Sequence, residues 1–343
     1  MTTSRTRRAL IAGGLLALLV AAPRPAHAYL LTSIQNSSGQ LSPGTWAQPP
    51  TYYITNQGTT GISVPALVAA VQGGFSAWTS VPTAHVSVIY GGLTTAEPDV
   101  VDYQNTIGFA DLGNIPGFEN TLGFTDYLLL ADGTPAHFFE TDIVLNSAFP
   151  WSTDPNGVAG RFDLQSIATH EIGHFLGLNH SAIGVVTTAA DGSLDVQAKR
   201  AVMFPIAFTP GNVSDRTLTP DDIAGISVLY PAAGFQQSTG TISGQVTKNG
   251  AGVFGAQVLA LDTQTGALVA SFSLDTHGDY TIAGLAPGTY IVRAEPLDTL
   301  DVTSFFNATD PVDTNFQVAY HLGPVAVPRG ANAGGINISV VAK

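Results

Sequence analysis

The sequence predicts an α+β domain, a sheet packed on three helices, followed by an all-β sandwich. Three observations predict this fold class. Up to about residue 233, apolar residues recur at helical spacing in three segments, with β-type runs between them. From Thr241 onward no helix signal remains, and short apolar runs are parted by Gly, Asn, Asp and Pro. Between the two regions, Gly234-Phe-Gln-Gln-Ser-Thr-Gly240 reads as a linker. The 343 residues suffice for two domains. The expected division is a leader at 1–28, a first domain at 29–233, a linker at 234–240 and a second domain at 241–343.

The leader has a basic front of Arg5, Arg7 and Arg8, then an apolar run from Ala9 to Ala22. That run is too short to span a bilayer comfortably, and Ala26-His27-Ala28 is an A-x-A cleavage site, so a mature chain should begin at Tyr29. A retained anchor is the competing reading, opposed by Arg24 and the cleavage site. Thr6-Arg7-Arg8-Ala9-Leu10 also resembles a twin-arginine signal. Export to the extracellular space or a periplasm follows from either signal.

Net charge is −13 and becomes −17 once the four leader arginines are gone. Such a surface repels nucleic acid and anionic lipid. No cysteine is present, which excludes thiol catalysis and disulfides, so an exported chain must rely on core packing, metal ions or both.

Thr51–Thr55 is a β-type run. Ser63-Val64-Pro65 opens the first helix, with Ser as N-cap and Pro in the first turn, and Leu67, Val68, Val71, Phe75 and Trp78 form its apolar stripe. His85–Tyr90 alternates as a strand, with Val86, Val88 and Tyr90 on one face. A short strand is expected near Ile107–Ala110, followed by Gly/Pro-rich loops, and another strand at Phe138–Leu145. Asp163 is the expected N-cap of a second helix over Leu164–Leu176. Thr219-Pro-Asp-Asp222 combines a capping box with an N1 proline and opens the third helix, with Ile223, Ile226 and Tyr230 as its stripe and Pro231 as its stop.

The second helix carries the chemistry. His170-Glu-Ile-Gly-His-Phe-Leu-Gly-Leu-Asn-His180 reads H-E-x-x-H-x-x-G-x-x-H. Positions i and i+4 share a helix face, so His170 and His174 can address one metal ion. Gly177 allows a turn with positive φ that returns His180 as a third ligand. Three imidazoles with an open fourth position form a catalytic Zn²⁺ pattern, and Glu171 stands where a general base would act on a water. Chance produces these five fixed residues in about 10⁻⁴ of chains this long.

This stretch, together with Met203, resembles the metzincin zinc proteases and, within them, the matrixins. Ser181 after the third histidine, Val202-Met203-Phe204-Pro205, the Leu218–Tyr230 helix and Phe75-Ser-Ala-Trp78 carry the likeness, which covers about residues 45 to 232. The resemblance implies a secreted zinc endopeptidase, with protein or peptide substrates, one catalytic Zn²⁺ and a monomeric state. It implies an apolar floor role for Met203, whose plainer reading is core filler. Structural Ca²⁺ is a second candidate ion, since Asp126, Asp142 and Asp154 lie where the family binds it, with a solvated loop aspartate as the competing reading for each.

The chain departs from the family in three ways. There is no cysteine to latch the zinc. Phe124 and Val144 stand where structural-zinc histidines are expected, so no second zinc is predicted. Residues 182–199 look like an insertion at the cleft rim. The strand near 138–145 is the expected edge for an extended substrate, and by the family analogy Ala207–Thr217 is the expected lining of the specificity pocket.

Beyond the linker, Asp275-Thr-His-Gly-Asp-Tyr280 and Ala283-Gly-Leu-Ala-Pro-Gly-Thr-Tyr290 resemble the carboxypeptidase regulatory-like modules, which are spacers, adhesion units or stabilisers. The competing functional readings are a proteolytically silent scaffold acting in adhesion or matrix binding, and a zinc hydrolase of another bond.

Overall fold

The computed structural model describes residues 29–35, 41–113, 115–130, 135–188, 194–199, 201–297, 302–307 and 309–343. The leader therefore lies outside the described residues. In the first domain the strands are β1 (Ser33–Gln35), β2 (Leu41–Thr45), β3 (Thr51–Thr55), β4 (Ile89–Thr94), β5 (Asn105–Ala110), β6 (Gly123–Leu130) and β7 (Ala136–Asn146). They form one sheet in the order β1-β2-β7-β5-β3-β4, with β6 paired to β7. The β2–β7, β7–β5, β5–β3 and β3–β4 pairs are parallel, whereas β6 runs antiparallel to β7. Two short strands, β8 (Trp151–Ser152) and β9 (Phe162–Asp163), pair just before the central helix.

The three expected helices are α1 (Val64–Thr79), α2 (Leu164–Phe175) and α3 (Pro220–Leu229). Their start signals act as read. The Ser63 side chain accepts from Ala66 N, Asp163 accepts from Ser166 N, and Thr219 and Asp222 form a reciprocal capping box. Arg216 holds the Asp163 cap from outside through two hydrogen bonds. Helices α1 and α2 approach closely because small residues face the contact: a Cβ on Gly74 would lie 2.8 Å from Ile172 Cδ1. Trp78 Nε1 donates to Thr169 O at 2.8 Å and locks the pair. Between helices and sheet, Ile54, Leu67, Trp78, Ile107, Ile143, Leu145 and Ile172 form a core with none of these side chains accessible.

Two strand expectations are corrected. The alternation in burial holds only over 85–89, since Val86 and Val88 are half-buried between exposed neighbours but Tyr90 is exposed, and pairing begins only at Ile89. The backbone of His85 instead donates to Tyr230 O beyond α3. The 138–145 strand is no edge either, because β7 has β6 on one flank and β2 and β5 on the other. Its polar residues Glu140 and Asp142 are buried and accept backbone N–H groups of the 99–106 loop. Among the described residues β6, for which no strand is expected from the sequence, pairs only with β7 and leaves its other side open.

Between the third histidine and the methionine, β10 (Gly184–Thr188) and β11 (Leu194–Lys199) form an antiparallel hairpin. The 234–240 stretch is ordered, with Gly234 at φ 82° and one turn of helix, α4 (Phe235–Ser238), that buries Phe235.

The second domain has β12 (Gly240–Lys248), β13 (Ala251–Gly252), β14 (Gln257–Asp262), β15 (Leu268–Phe272), β16 (Asp279–Leu285), β17 (Gly288–Glu295), β18 (Ala319–Tyr320), β19 (Val325–Val327), β20 (Asn332–Ala333) and β21 (Ile338–Val340). One sheet holds β13-β12-β16 with β20 and β21 on β12, and the other β15-β14-β17-β18 with β19 on β17. The sandwich is mainly antiparallel, but β20 and β21 pair parallel to β12, since the chain returns to the sheet by long connections. Alternate residues such as Ile242, Val246, Val258, Ala260 and Val292 fill its interior.

The domains share apolar contacts. Ile183 and Ala201 from the first cluster with Leu259 and Ala270 from the second. Tyr29 is buried beside Ala224 and donates its hydroxyl to Ala283 O.

Trp78→Phe should lower the stability of the folded chain by about 1–3 kcal/mol, because the buried Thr169 carbonyl loses its donor. Urea unfolding of the zinc-free protein measures this, and an unchanged midpoint would show that the bond contributes nothing.

Candidate metal centre

Helix α2 places His170 and His174 one turn apart on one face, with ring centroids 4.9 Å apart. The helix ends at Leu176, and Gly177 adopts φ 102°. No other residue suits this position, since a Cβ there would lie 2.5 Å from Gly44 O. The reversed chain delivers His180, whose ring centroid lies 5.5 Å from that of His170 and 4.8 Å from that of His174. Each histidine offers a ligand nitrogen, and the three atoms lie within 4.8 Å of one another.

The second ring nitrogen of each histidine is engaged. His170 Nδ1 bonds Val202 O at 2.7 Å, His174 Nδ1 bonds Leu178 O at 2.8 Å, and His180 Nδ1 bonds Ser304 O at 2.8 Å. A carbonyl can only accept, so each Nδ1 carries a proton, which leaves Nε2 as the atom that would ligate an ion. Burial reinforces the neutral form. It pushes His174 down to about 3, aided by His180 and opposed by the Leu178 carbonyl. It also lowers His180, against the Ser304 carbonyl. Three imidazoles oriented by carbonyls through Nδ1 are a donor set that Zn²⁺ takes, so the residues fit that ion.

Glu171 is 4 % exposed, and its Oε2 accepts from Thr125 Oγ1 at 2.8 Å. Burial raises its pKa to about 7, while the Thr125 hydroxyl acts in the other direction. Thr125 lies on β6 and also donates to Glu171 O, so the edge strand and the carboxylate are fixed to each other. Sequence reasoning missed Thr125, and no local signal marks it.

Met203 is buried beneath the centre, as expected of either a floor or a core residue. A Cβ on Gly173 would lie 2.2 Å from its Sδ, so the helix needs glycine at that point. The turn that carries Met203 is held by Asp222, which accepts from Val202 N at 2.9 Å and Met203 N at 3.1 Å while capping α3 through Thr219. Because Val202 O in turn bonds His170, Asp222 acts on a ligand two steps away. The capping box disclosed Asp222 but not this second duty. Ser181 Oγ donates to Asp221 Oδ2 at 2.7 Å, and Ser181 N to Met203 O at 2.9 Å, which ties the third ligand's neighbour to the same turn.

The three calcium candidates form no common metal-capable group among the described residues. Asp126 and Asp142 are cross-strand neighbours, while the exposed Asp154 accepts from Asn156 N within its own turn. Asp142 already accepts from Asp99 N, Val100 N and Thr106 N. Phe124 faces Val144 across the β6–β7 pair, and Phe118 lies against it. Among the described residues a second metal-capable group, Asp275, His277 and Asp279, sits at a surface turn of the sandwich.

Asp222→Asn should weaken zinc binding by about 10–100-fold, because an amide cannot accept from Val202, Met203 and Thr219 together. Competition against a chromophoric chelator reads this directly. Parent-like affinity would confine Asp222 to its capping role.

Comparison with known proteins agrees with this geometry. Residues 45–231 match the matrixin family, and residues 241–319 match the carboxypeptidase regulatory-like domain. The chain is similar to Metalloendoproteinase 2-MMP of Arabidopsis thaliana, 34% identical over 130 residues, which is 37% of this chain and 29% of that protein. It is also similar to Metalloendoproteinase 1-MMP of the same plant, 32% identical over 163 residues, covering 46% of this chain and 35% of that protein. With the Hatching enzyme of Paracentrotus lividus it shares 30% identity over 142 residues, 40% of this chain and 20% of that protein. The likeness to these three therefore spans only about a third or less of their own length. The matched region holds all three histidines, Glu171 and the methionine turn, and more than half of the chain; the chain belongs to the matrixin family.

Proposed function

We propose that this protein is an exported, monomeric zinc endopeptidase that hydrolyses peptide bonds in protein or peptide substrates. One observation carries the reading: three half-buried imidazoles converge, each with its Nδ1 on a backbone carbonyl, and a buried carboxylate, Glu171, sits beside them. A zinc ion held by His170, His174 and His180 would polarise the scissile carbonyl and make a water acidic enough to react near neutral pH.

The chain's own residues do the rest. Glu171 takes the proton of the attacking water and passes it to the leaving amine. Burial raises its pKa above the usual carboxylate range, which favours a group that accepts a proton and gives it up again. Thr125 holds the carboxylate in place. The β6 edge, not β7, aligns an extended substrate by adding a strand to the sheet. Because Thr125 lies on that edge, a bound peptide would be registered against the base. The segment Ala207–Thr217, after the methionine turn, is assigned to the specificity pocket.

Export rests on the sequence of residues 1–28. Among the described residues no helix is long and apolar enough to cross a membrane.

Glu171→Ala should retain zinc and lose about 10²–10⁴-fold in cleavage of casein or an unstructured reporter peptide. Removal of zinc by a chelator should abolish cleavage in the parent, and added zinc should restore it. A Glu171→Ala variant as fast as the parent would end the assignment of the base. A zinc-loaded parent that cleaves no protein would favour the silent adhesion scaffold.

A further inference from the structure

The regulatory-like domain is expected to be a spacer or stabiliser, yet one of its turns reaches the metal centre. Residues Val302–Ser304 form a single 3₁₀ turn, closed by Phe305 N and Phe306 N donating to Val302 O. Ser304 O accepts from His180 Nδ1 at 2.8 Å, across 124 residues of sequence. His170 and His174 take their carbonyl partners from the first domain; His180 alone takes its partner from the second.

The turn is anchored. Phe306 is 6 % exposed and packs against Phe254 and Phe272, with ring centroids 5.5 and 5.4 Å away. Phe305 bridges the two sides, 6.1 Å from Phe272 and 6.3 Å from the His180 ring. The same apolar cluster takes in Leu30 and Ala182 of the first domain. A second tie runs in parallel: Ala270 N of β15 donates at 2.8 Å to Asp221, which also accepts the Ser181 hydroxyl. Ser181 and Ala182, which follow His180, are thus fixed partly by the sandwich.

A metal-bound histidine depends on what its other nitrogen touches, because that contact sets the tautomer and the ring orientation. We propose that the C-terminal sandwich is a working part of the metal centre: its 302–306 turn positions His180, so that docking of the sandwich sets the affinity for zinc. Phe305 and Phe306 are positioning residues, which act through the Ser304 carbonyl. This rests on the metal-site part of the reading above and is independent of whether the bound metal serves peptide hydrolysis.

The test uses the full chain. Phe306→Ala removes the anchor, Phe306→Leu keeps most of it, and Phe305→Ala trims only the bridging ring. Tyr320→Ala, at an exposed site of the sandwich, is the control. Zinc affinity is read by competition with a chromophoric chelator, and the His Nδ1–H protons by NMR of the zinc-loaded protein. We expect a loss in affinity of about 10–100-fold for Phe306→Ala, a smaller loss for Phe305→Ala, near-recovery in Phe306→Leu and none in the control. The His180 Nδ1–H signal should broaden or vanish, while those of His170 and His174 persist. If Phe306→Ala does not fold, Phe305→Ala decides. Folded variants with parent-like affinity and an intact His180 signal would overturn the proposal. Zinc binding unaffected by His180→Ala would overturn the metal-site reading, and this one with it. Lost affinity in a protein that never cleaves peptides would remove only the peptidase assignment.

Discussion

Three imidazoles can share one metal ion only if each turns an unprotonated ring nitrogen inward. That constraint is met here by three carbonyl oxygens, from Val202, Leu178 and Ser304. Each comes from a different part of the molecule: the methionine turn, the turn that ends α2, and the second domain. Much of the surrounding structure can be traced to holding those carbonyls still. Asp222 caps α3 and pins the methionine turn. Gly177 lets the chain reverse against Gly44. Phe306 anchors the 302–306 turn.

The absence of cysteine shapes how this is achieved. Covalent cross-links are replaced by apolar clusters that cross the domain boundary, such as Ile183 and Ala201 with Leu259 and Ala270. The N-terminal segment adds backbone bonds, with Thr32 N donating to Gly177 O and Asn179 N to Leu30 O. Ligand placement in this chain is therefore a property of tertiary packing spread over both domains.

Legibility of the sequence follows the range of the interaction. The ligand histidines, the helix caps and Gly177 were readable because their chemistry is local: i and i+4 on one face, a side chain three residues from the N–H it caps, a glycine at a reversal. The H-E-x-x-H-x-x-G-x-x-H pattern compresses a three-dimensional site into eleven residues. Thr125, Asp222 as turn holder and Ser304 were not readable, since each acts on residues distant in sequence and offers only a common residue type. The β6 edge was missed because Gly123-Phe-Thr-Asp-Tyr-Leu-Leu-Leu130 shows no clean alternation and follows Gly/Pro-rich loops. The 138–145 strand is covered on both flanks because its partners β2, β5 and β6 come from segments distant in sequence, and backbone groups of residues 99–106 satisfy its Glu140 and Asp142 inside.

The β10–β11 hairpin has one more implication. It departs after Ser181 and returns before Met203, and those two residues are joined by a backbone hydrogen bond. The bond isolates the excursion: whatever the hairpin does beyond it, the third ligand and the methionine turn keep their spacing. Doubling the length of such a loop costs only about 0.6 kcal/mol in closure entropy. The hairpin beyond Ile183 and Ala201, which pack on the second domain, can therefore change length at little cost while the Ser181–Met203 bond keeps the third ligand and the methionine turn in place.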